Sequence, residues 1–518
     1  MKIQKNISQR NSSIPIAGLG LVGLILSAIF QGVLAQGSFW PGFFATSLLM
    51  FFLGLMLFFV WVLAGRNRAL AWMMILAFLI RLAYGMFLSW GLPLFGYDEP
   101  GQKAGFVFTD PYQREESAWE LANSGEPLTQ AFSDDYPTDQ YGGLLALSAL
   151  IYRTISPDAH RPGLIIIFSA TAMALSLPFV VSAIQTQFSK KVAQGAGWIL
   201  VFYPEGILLG ASQMREPFLI LFFSMLFWAG AHWLSRKQLK WTMLTLFISS
   251  LGLFLLSYRV AISLIGVIFL WIWVVETKHI KQPKVKFLVW GAMGLILLVG
   301  VWIGRDWLGS VMRWDTLQTV VNSGQIQFQL EGFPKWLYFP FVLIYGVFQP
   351  ILPAAIADPA PWIWRSLGIL RGIGWYALWP LLAYALIRVW WIKPSKKKRW
   401  LVVVTLLIWV WIFIASARAG GDQWDNPRYR TIFLPWLAFV ASWVIDWVAR
   451  TKDRWLGRLF IIEGIFLAFI TEWYLSRYYA LFPRPNFWVM LSLIFGLSML
   501  VIGGGIFWDK RNIKKRLK

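Results

Sequence analysis

Long runs of apolar residues, separated by short basic loops, most constrain what this chain can fold into. A helix needs about 20 apolar residues to cross the ~30 Å hydrocarbon layer of a bilayer, and the chain repeats runs of that length from end to end. A transmembrane barrel would instead show short segments of alternating hydrophobicity. Only 14% of the residues are charged, against about 25% in ordinary soluble domains. The sequence therefore predicts an all-α, polytopic transmembrane helical bundle.

The apolar runs predict about 14 spans. Their ranges are 14–35, 42–64, 69–91, 163–187, 192–209, 215–234, 240–257, 260–276, 287–304, 367–392, 400–418, 430–449, 457–476 and 486–508. We divide the chain into two additional N-terminal helices, a module with a large loop, a second loop region and the C-terminal helices. The two additional helices occupy 1–68, and the module occupies 69–305 with its large loop at 92–161. The second loop region is 306–366, and the C-terminal helices are in 367–518.

The distribution of positive charge predicts the orientation of the spans. The formal net charge is +22, and Lys and Arg gather in short loops, as in 393–399, which is typical of cytoplasmic loops. Both termini are then cytoplasmic in a cell membrane. No basic patch on a soluble domain is available for nucleic acid, so we expect none as a partner.

One apolar segment breaks the alternation of sides. The segment 336–356 is long enough to span but contains Pro340, Pro350 and Pro353. A crossing here would put the basic loop 393–399 outside. We therefore predict an interfacial or re-entrant piece on the outer side, where irregular backbone has to be covered by protein.

The segment 92–161 concentrates the negative charge. It carries 11 of the 25 acidic residues and is predicted to lie at the outer face. Asp110 precedes Pro111, a pairing that suits a helix start and a capping role. Arg114 follows one turn later on the same helical face, while Glu115 and Glu116 fall on neighbouring faces and are equally explained as solvated residues.

Other residue types limit the chemistry. The chain has no Cys, and its three histidines are far apart, which excludes thiolate chemistry and argues against a His-based metal site. A divalent metal near the carboxylates stays open, and no cofactor is predicted. Arg81 and Glu463 lie inside predicted spans, where charges are costly; we interpret them as a buried structural pair or as cavity lining.

Several short motifs occur in an order that resembles one enzyme family. They are Asp110, Arg114, Ala118, Leu121, Ser124-Gly125, Tyr136-Pro137, an apolar helix over 141–152, Ser156-Pro157, Tyr203-Pro204, Glu216-Pro217, and Arg428-Tyr429-Arg430 with Pro435. The arrangement is similar to the GT-C-fold glycosyltransferases, which include the protein O-mannosyltransferases and the lipid A aminoarabinose transferases. It covers 69–235 well and 424–445 loosely.

The resemblance implies transfer of a sugar from a polyprenyl-phosphate donor to a protein, lipid or glycan acceptor, within the membrane lipid and at its outer face. It implies a carboxylate base, either Asp110 or Asp98; Asp98-Glu99 directly follows a span, where many members carry an acidic pair. Such a base removes the acceptor proton in a single inverting displacement. The residues that would bind the donor phosphate are Arg215, Arg259, Arg428 and Arg430, and those that would support the site are Glu99, Glu115, Glu216 and Tyr429.

Two other functions remain open at this stage. One is a polymerase or ligase of lipid-linked glycans, which needs a large outer loop between late spans; the range 305–365 would supply it. The other is a non-enzymatic lipid or sugar transporter, which needs charged residues along a path to the cytoplasmic side.

The predicted orientation is testable by single-thiol labelling, because the chain has no Cys of its own. An impermeant maleimide added to intact cells is expected to label Asp98→Cys and Asp110→Cys, whereas Lys397→Cys reacts only after permeabilisation. The opposite pattern would contradict the placement of the acidic segment outside.

Overall fold

The computed structural model of the chain describes residues 16–139, 141–277, 280, 282–295, 302, 334–483 and 486–516. These residues form helices and connecting loops, and none of them forms a strand. The helices are α1 (Ile16–Leu34), α2 (Phe39–Leu63), α3 (Arg68–Phe95), α4 (Pro100–Lys103), α5 (Thr109–Ser124), α6 (Gly143–Ile155), α7 (Gly163–Gln185), α8 (Lys190–Phe202), α9 (Pro204–Gly210), α10 (Glu216–Leu234), α11 (Leu239–Leu256), α12 (Tyr258–Glu276), α13 (Tyr338–Val347), α14 (Leu352–Ala357), α15 (Trp362–Arg388), α16 (Lys396–Ala419), α17 (Asp425–Thr431), α18 (Leu434–Thr451), α19 (Trp455–Tyr479) and α20 (Phe487–Arg516). Residues 283–295 are also helical.

The helices confirm a multi-pass membrane protein. Within the described ranges, 10 helices are long and apolar enough to cross a membrane, or up to 12 if each of two bent pairs is one span. The two other predicted spans, 14–35 and 287–304, extend outside the described residues, and so does the part 306–333 of the second loop region. The number 14 therefore stays a prediction.

The loops separate by charge to opposite ends of the bundle. The acidic segment lies beside the α1–α2 turn, where Arg161 Nε donates to the Gln36 carbonyl at 2.9 Å; we call this the acidic end. At the other end, Lys396 Nζ contacts the Leu234 carbonyl and Arg458 pairs with Asp509 at 2.6 Å; we call this the basic end. This separation agrees with the predicted alternation of loops.

Helix α7 forms the centre of the bundle. It is the most buried of the candidate spans, with 89% of its apolar window inside the protein, and it packs against α3, α8 and α10. Small residues such as Ala170, Ala172 and Ala174 let neighbouring helices approach closely.

Two spans are broken near the acidic end. Helices α8 and α9 meet at 58°, and α17 and α18 meet at 75°. Pro204 begins α9 and Pro435 lies in the first turn of α18; a proline lacks the N–H that would continue the helix and clashes with the carbonyl four residues earlier. Each break leaves backbone carbonyls without helical partners inside the bundle.

Arg81 satisfies the carbonyls freed at the first break. Pro204 has no N–H for the Leu200 carbonyl, and Arg81 Nη2 donates to that oxygen at 2.9 Å. Arg81 Nε also donates to the Gly206 carbonyl at 3.1 Å. The prediction of an Arg81–Glu463 pair is wrong, since Glu463 accepts from Trp379 Nε1 at 2.6 Å instead.

The proline-containing segment 336–356 forms two short helices. Helix α13 has 10 residues and α14 has six, and each is too short to cross the bilayer by itself. Helix α14 packs along α15, where its Ala355 and Leu352 approach Gly368 and Gly372. The interfacial or re-entrant placement of the segment stays a prediction.

Replacing Arg81 by Leu is expected to destabilise the bundle strongly. Each orphaned buried carbonyl costs about 1–3 kcal/mol, so the thermal midpoint in detergent should fall well below that of the native protein. Arg236→Leu is the control, because that side chain is 71% exposed and only pairs loosely with Glu276. Equal midpoints for the two variants would contradict the role of Arg81.

Candidate functional site

Asp110 lies in the first turn of α5, at the acidic end. The N-cap residue of that helix is Phe108, not Asp110, so the predicted capping role is wrong. The side chain of Asp110 remains 67% exposed. Helix α5 begins here because Pro111 fits a first turn, and its apolar face, with Ala118 and Leu121, is buried.

Arg428 is the centre of a cluster of four charged side chains, which we call the Arg428 cluster. Its Nε donates to Glu216 Oε1 at 2.6 Å. Its Nη1 lies 3.3 Å from Asp110 Oδ2 and 3.3 Å from Asp425 Oδ1. Three helices far apart in sequence (α5, α10 and α17) thus converge on one guanidinium.

Burial differs sharply within the Arg428 cluster. Glu216 is almost fully buried at the start of α10, where a carboxylate is favoured by the helix dipole, and its Oε2 has no hydrogen-bond partner among the described residues. Asp425 is 40% exposed. Asp110 is therefore the carboxylate of the cluster most open to a ligand, while Glu216 holds Arg428 on the buried side of the cluster.

Two further arginines meet a pair of tyrosines beside the cluster. Arg215, the residue before Glu216, has its Cζ 5.2 Å from the ring centre of Tyr141. Arg259 Nε donates to the Tyr258 hydroxyl at 3.2 Å, and the Tyr141 and Tyr258 rings meet edge to face at 5.5 Å. Arg215 and Arg259 thus converge from the starts of α10 and α12.

Glu115 is buried in a network of hydrogen bonds, so its interpretation as a solvated residue is wrong. The Tyr152 hydroxyl donates to Oε2 at 2.6 Å, while Ser148 and Arg114 donate to Oε1 at 3.1 and 3.0 Å. Burial raises the pKa of Glu115, against the opposing effect of Arg114. Arg114 also contacts the Gln213 carbonyl, which joins α5 to the turn before α10.

Glu116 and His160 remain at the edge of this network. Glu116 is 49% exposed and lies 3.7 Å from His160 Nδ1. Burial lowers the pKa of His160 to about 4, so the imidazole is neutral at neutral pH. The contact is therefore not an ion pair under those conditions.

The other candidates lie apart from the Arg428 cluster. Asp98 pairs with Lys103 on the surface, and this pairing lowers the pKa of Asp98. Glu99 accepts from Gln102 Nε2 at 3.0 Å. Arg430 is fully buried, with its Cζ 3.4 Å from the ring centre of Trp375, and it donates to backbone carbonyls at the end of α13 and just after it.

The protein buries both Arg428 and Arg430, so neither side chain snorkels to the membrane boundary as a long basic side chain near a helix end often does. Tyr429 lies between them in sequence and its hydroxyl is 3.4 Å from Asp425 Oδ2. Of the four predicted phosphate-binding arginines, Arg215 and Arg259 are the two that are only half-buried.

The structure contains a second buried ion pair, Arg371 with Glu205, which was not predicted from the sequence. Arg371 Nε and Nη2 donate to the two oxygens of Glu205 at 2.6 and 3.1 Å, and its Cζ lies 4.2 Å from the ring centre of Trp424. A charged residue within the apolar run 367–392 was the available signal. Asp425 was also missed, although it lies three residues before Arg428 on the same helix, a spacing that brings side chains together.

A cavity of about 550 Å³ opens between the loop 132–142 and the adjoining ends of α11 and α12. Its lining includes Asp134, Asp139, Tyr141 and Tyr258. It therefore borders the tyrosine pair that carries Arg215 and Arg259.

Comparison with known proteins returns no relative: no protein-family model, curated protein or solved structure matches this chain. Fold and site together define a helical multi-pass membrane protein with a polar cluster at its acidic end. Within the described ranges, no group of three or more His, Asp or Glu residues is arranged to hold a metal ion. Function therefore has to be argued from the residues of this chain.

Removing Arg428 is expected to destabilise the protein through Glu216. Arg428→Met leaves a buried carboxylate without its cation, which costs about 3–5 kcal/mol, and a second change, Glu216→Leu, should recover much of that loss. Unfolding in detergent measures both effects. Arg450→Met is the control, since that arginine is 64% exposed; no recovery in the double variant would contradict the coupling.

Proposed function

We propose that this protein is a membrane glycosyltransferase of GT-C type. It transfers a sugar from a polyprenyl-phosphate donor to an acceptor at the outer face of the cytoplasmic membrane. The observation that carries the proposal is the contact of the exposed Asp110 carboxylate with the buried Arg428, a residue 318 positions away in the chain.

Asp110 has the properties that a general base needs. Its carboxylate is accessible, and Arg428, itself held by Glu216, restrains one of its oxygens. In the proposed step, Asp110 accepts the proton of an acceptor hydroxyl or amine as that atom attacks C1 of the sugar. The C1–O bond to the lipid phosphate breaks on the opposite face, with inversion.

Arg215 and Arg259 are the better candidates for the donor phosphate. The leaving group is an anion, which guanidinium groups stabilise by charge-assisted hydrogen bonds. Arg428 already faces three carboxylates, so we assign it the positioning of Asp110 and not the binding of phosphate. Because the Arg430 guanidinium donates hydrogen bonds to backbone carbonyls, we do not assign it to the phosphate site.

The two candidate bases differ in their surroundings. Asp98 pairs with Lys103 at the protein surface, whereas Asp110 belongs to a cluster built from three distant helices. A base has to be positioned within hydrogen-bond reach of the proton that it removes. We therefore assign the role to Asp110.

A transporter is the second candidate, and the two broken spans favour it. Transporters often place their binding sites at interrupted helices, and here the buried pair of Glu205 and Arg371 lies beside the α8–α9 break. The glycan polymerase or ligase would depend on the loop 305–365, of which residues 305–333 are outside the described residues.

Sugar transfer from a polyprenyl-phosphate donor by the reconstituted protein tests the assignment. Asp110→Asn is expected to lower kcat about 10²–10⁴-fold, the usual contribution of a general base, while Asp98→Asn keeps near-native turnover. The matched pair changes one carboxylate each on the same segment. Native turnover of Asp110→Asn would overturn the base assignment, and transport of the intact donor without transfer would favour the second candidate.

A further inference from the structure

The cavity at the acidic end has a wall that tolerates no added side chain. Gly143 begins α6, and a Cβ there would lie 2.0 Å from the Leu255 carbonyl oxygen. Gly142 has a φ of +72°, and a Cβ there would lie 2.3 Å from the Ala131 carbonyl oxygen. Gly143 thus lets the chain pack against the end of α11, and Gly142 lets it pack against Ala131. The cavity is therefore shaped by backbone contacts.

The polar lining of the cavity is acidic and aromatic. Asp134 and Asp139 supply carboxylates, and Tyr136, Tyr141 and Tyr258 supply rings with hydroxyl groups, while no Lys or Arg is among the described residues of the lining. The Asp139 carboxylate is held in place by the backbone N–H groups of Tyr141 and Leu145, at 3.4 and 3.2 Å.

This lining suits a ligand with many hydroxyl groups. Carboxylates accept hydrogen bonds from hydroxyl or ammonium groups, and tyrosine rings offer flat apolar faces with a polar tip. An anionic group inside the cavity would instead face two carboxylates. Arg215 and Arg259 lie outside the lining, on Tyr141 and Tyr258. The cavity therefore favours neutral or positively charged sugar units over uronates.

The cavity also has an apolar side. Phe132, Phe254 and Leu255 line it and are about half exposed, and the last two lie in the last turn of α11, a helix that is apolar enough to span. A ligand that contacts both sides has a polar headgroup and an apolar chain.

We propose that this cavity binds the neutral or positively charged sugar unit of a lipid-anchored molecule. The inference rests on the proposed function, because it takes that sugar to be a reactant of Asp110. The same chemistry belongs to two sources, the sugar of the polyprenyl-phosphate donor and the headgroup of a glycolipid acceptor.

Photo-crosslinking in nanodiscs tests the proposal without any need for turnover. The probe is a hexosyl diacylglycerol with a diazirine on the sugar, and its partner is the matching hexuronosyl lipid. We expect the hexosyl probe to label peptides that cover 132–142 or 254–258, about tenfold more than the uronosyl probe. Labelling confined to other peptides, or equal labelling by the two probes, would overturn the proposal.

Two neighbouring aspartates provide matched variants. Asp134 lines the cavity, whereas Asp135 is outside the lining and accepts from Gln130 and Ser133. Asp134→Ala should lower labelling about tenfold, as expected for losing a hydrogen bond to a charged group, while Asp135→Ala retains it. Stronger loss of labelling in Asp135→Ala than in Asp134→Ala, with equal thermal midpoints, would contradict the assignment.

Two further measurements identify which molecule supplies the bound sugar and separate the binding proposal from the proposed function. Loss of labelling under excess polyprenyl-phosphate sugar assigns the cavity to the donor sugar, and unchanged labelling assigns it to a glycolipid acceptor. Asp110→Asn should be labelled like the native protein, since binding needs no base. Cavity labelling without sugar transfer would refute the proposed function yet retain the binding site.

Discussion

The absence of water inside a bilayer is the constraint on which this structure depends. Backbone groups freed at a helix break there must find partners within the protein. Arg81 donates hydrogen bonds to carbonyls around Pro204, and Arg430 donates to carbonyls at the end of α13 and just after it. These buried cations allow broken helices at the acidic end, and the broken helices make room for a polar site.

The Arg428 cluster shows how such a site is assembled. Glu216 begins one span, Arg428 precedes the break of another, and Asp110 comes from a loop helix. A buried charge has to be paired or hydrogen-bonded, and Glu216 pairs with Arg428 at 2.6 Å. The more exposed Asp110 is then held at the surface of the cluster, where a ligand has access to it.

The sequence predicted the helical class correctly, together with the positions of most of the helices that are long and apolar enough to span, because apolar run length depends on the bilayer and not on tertiary contacts. It predicted a helix near Asp110, which the structure places at Thr109–Ser124. It was wrong about the surroundings of Glu115 and about a partner for Arg81. In both cases the contacts come from residues far away in the chain, such as Tyr152 and Leu200, which local periodicity does not describe.

By itself, the sequence determined that the chain is a multi-pass membrane protein with its acidic and basic loops separated, since both follow from length, hydropathy and charge. Only the tertiary structure decided which charges meet. Asp110 and Asp98 are 12 positions apart in one acidic segment, yet one contacts Arg428 and the other Lys103. The physical reason is that ion pairing depends on distances of a few ångströms, and helix packing sets those distances.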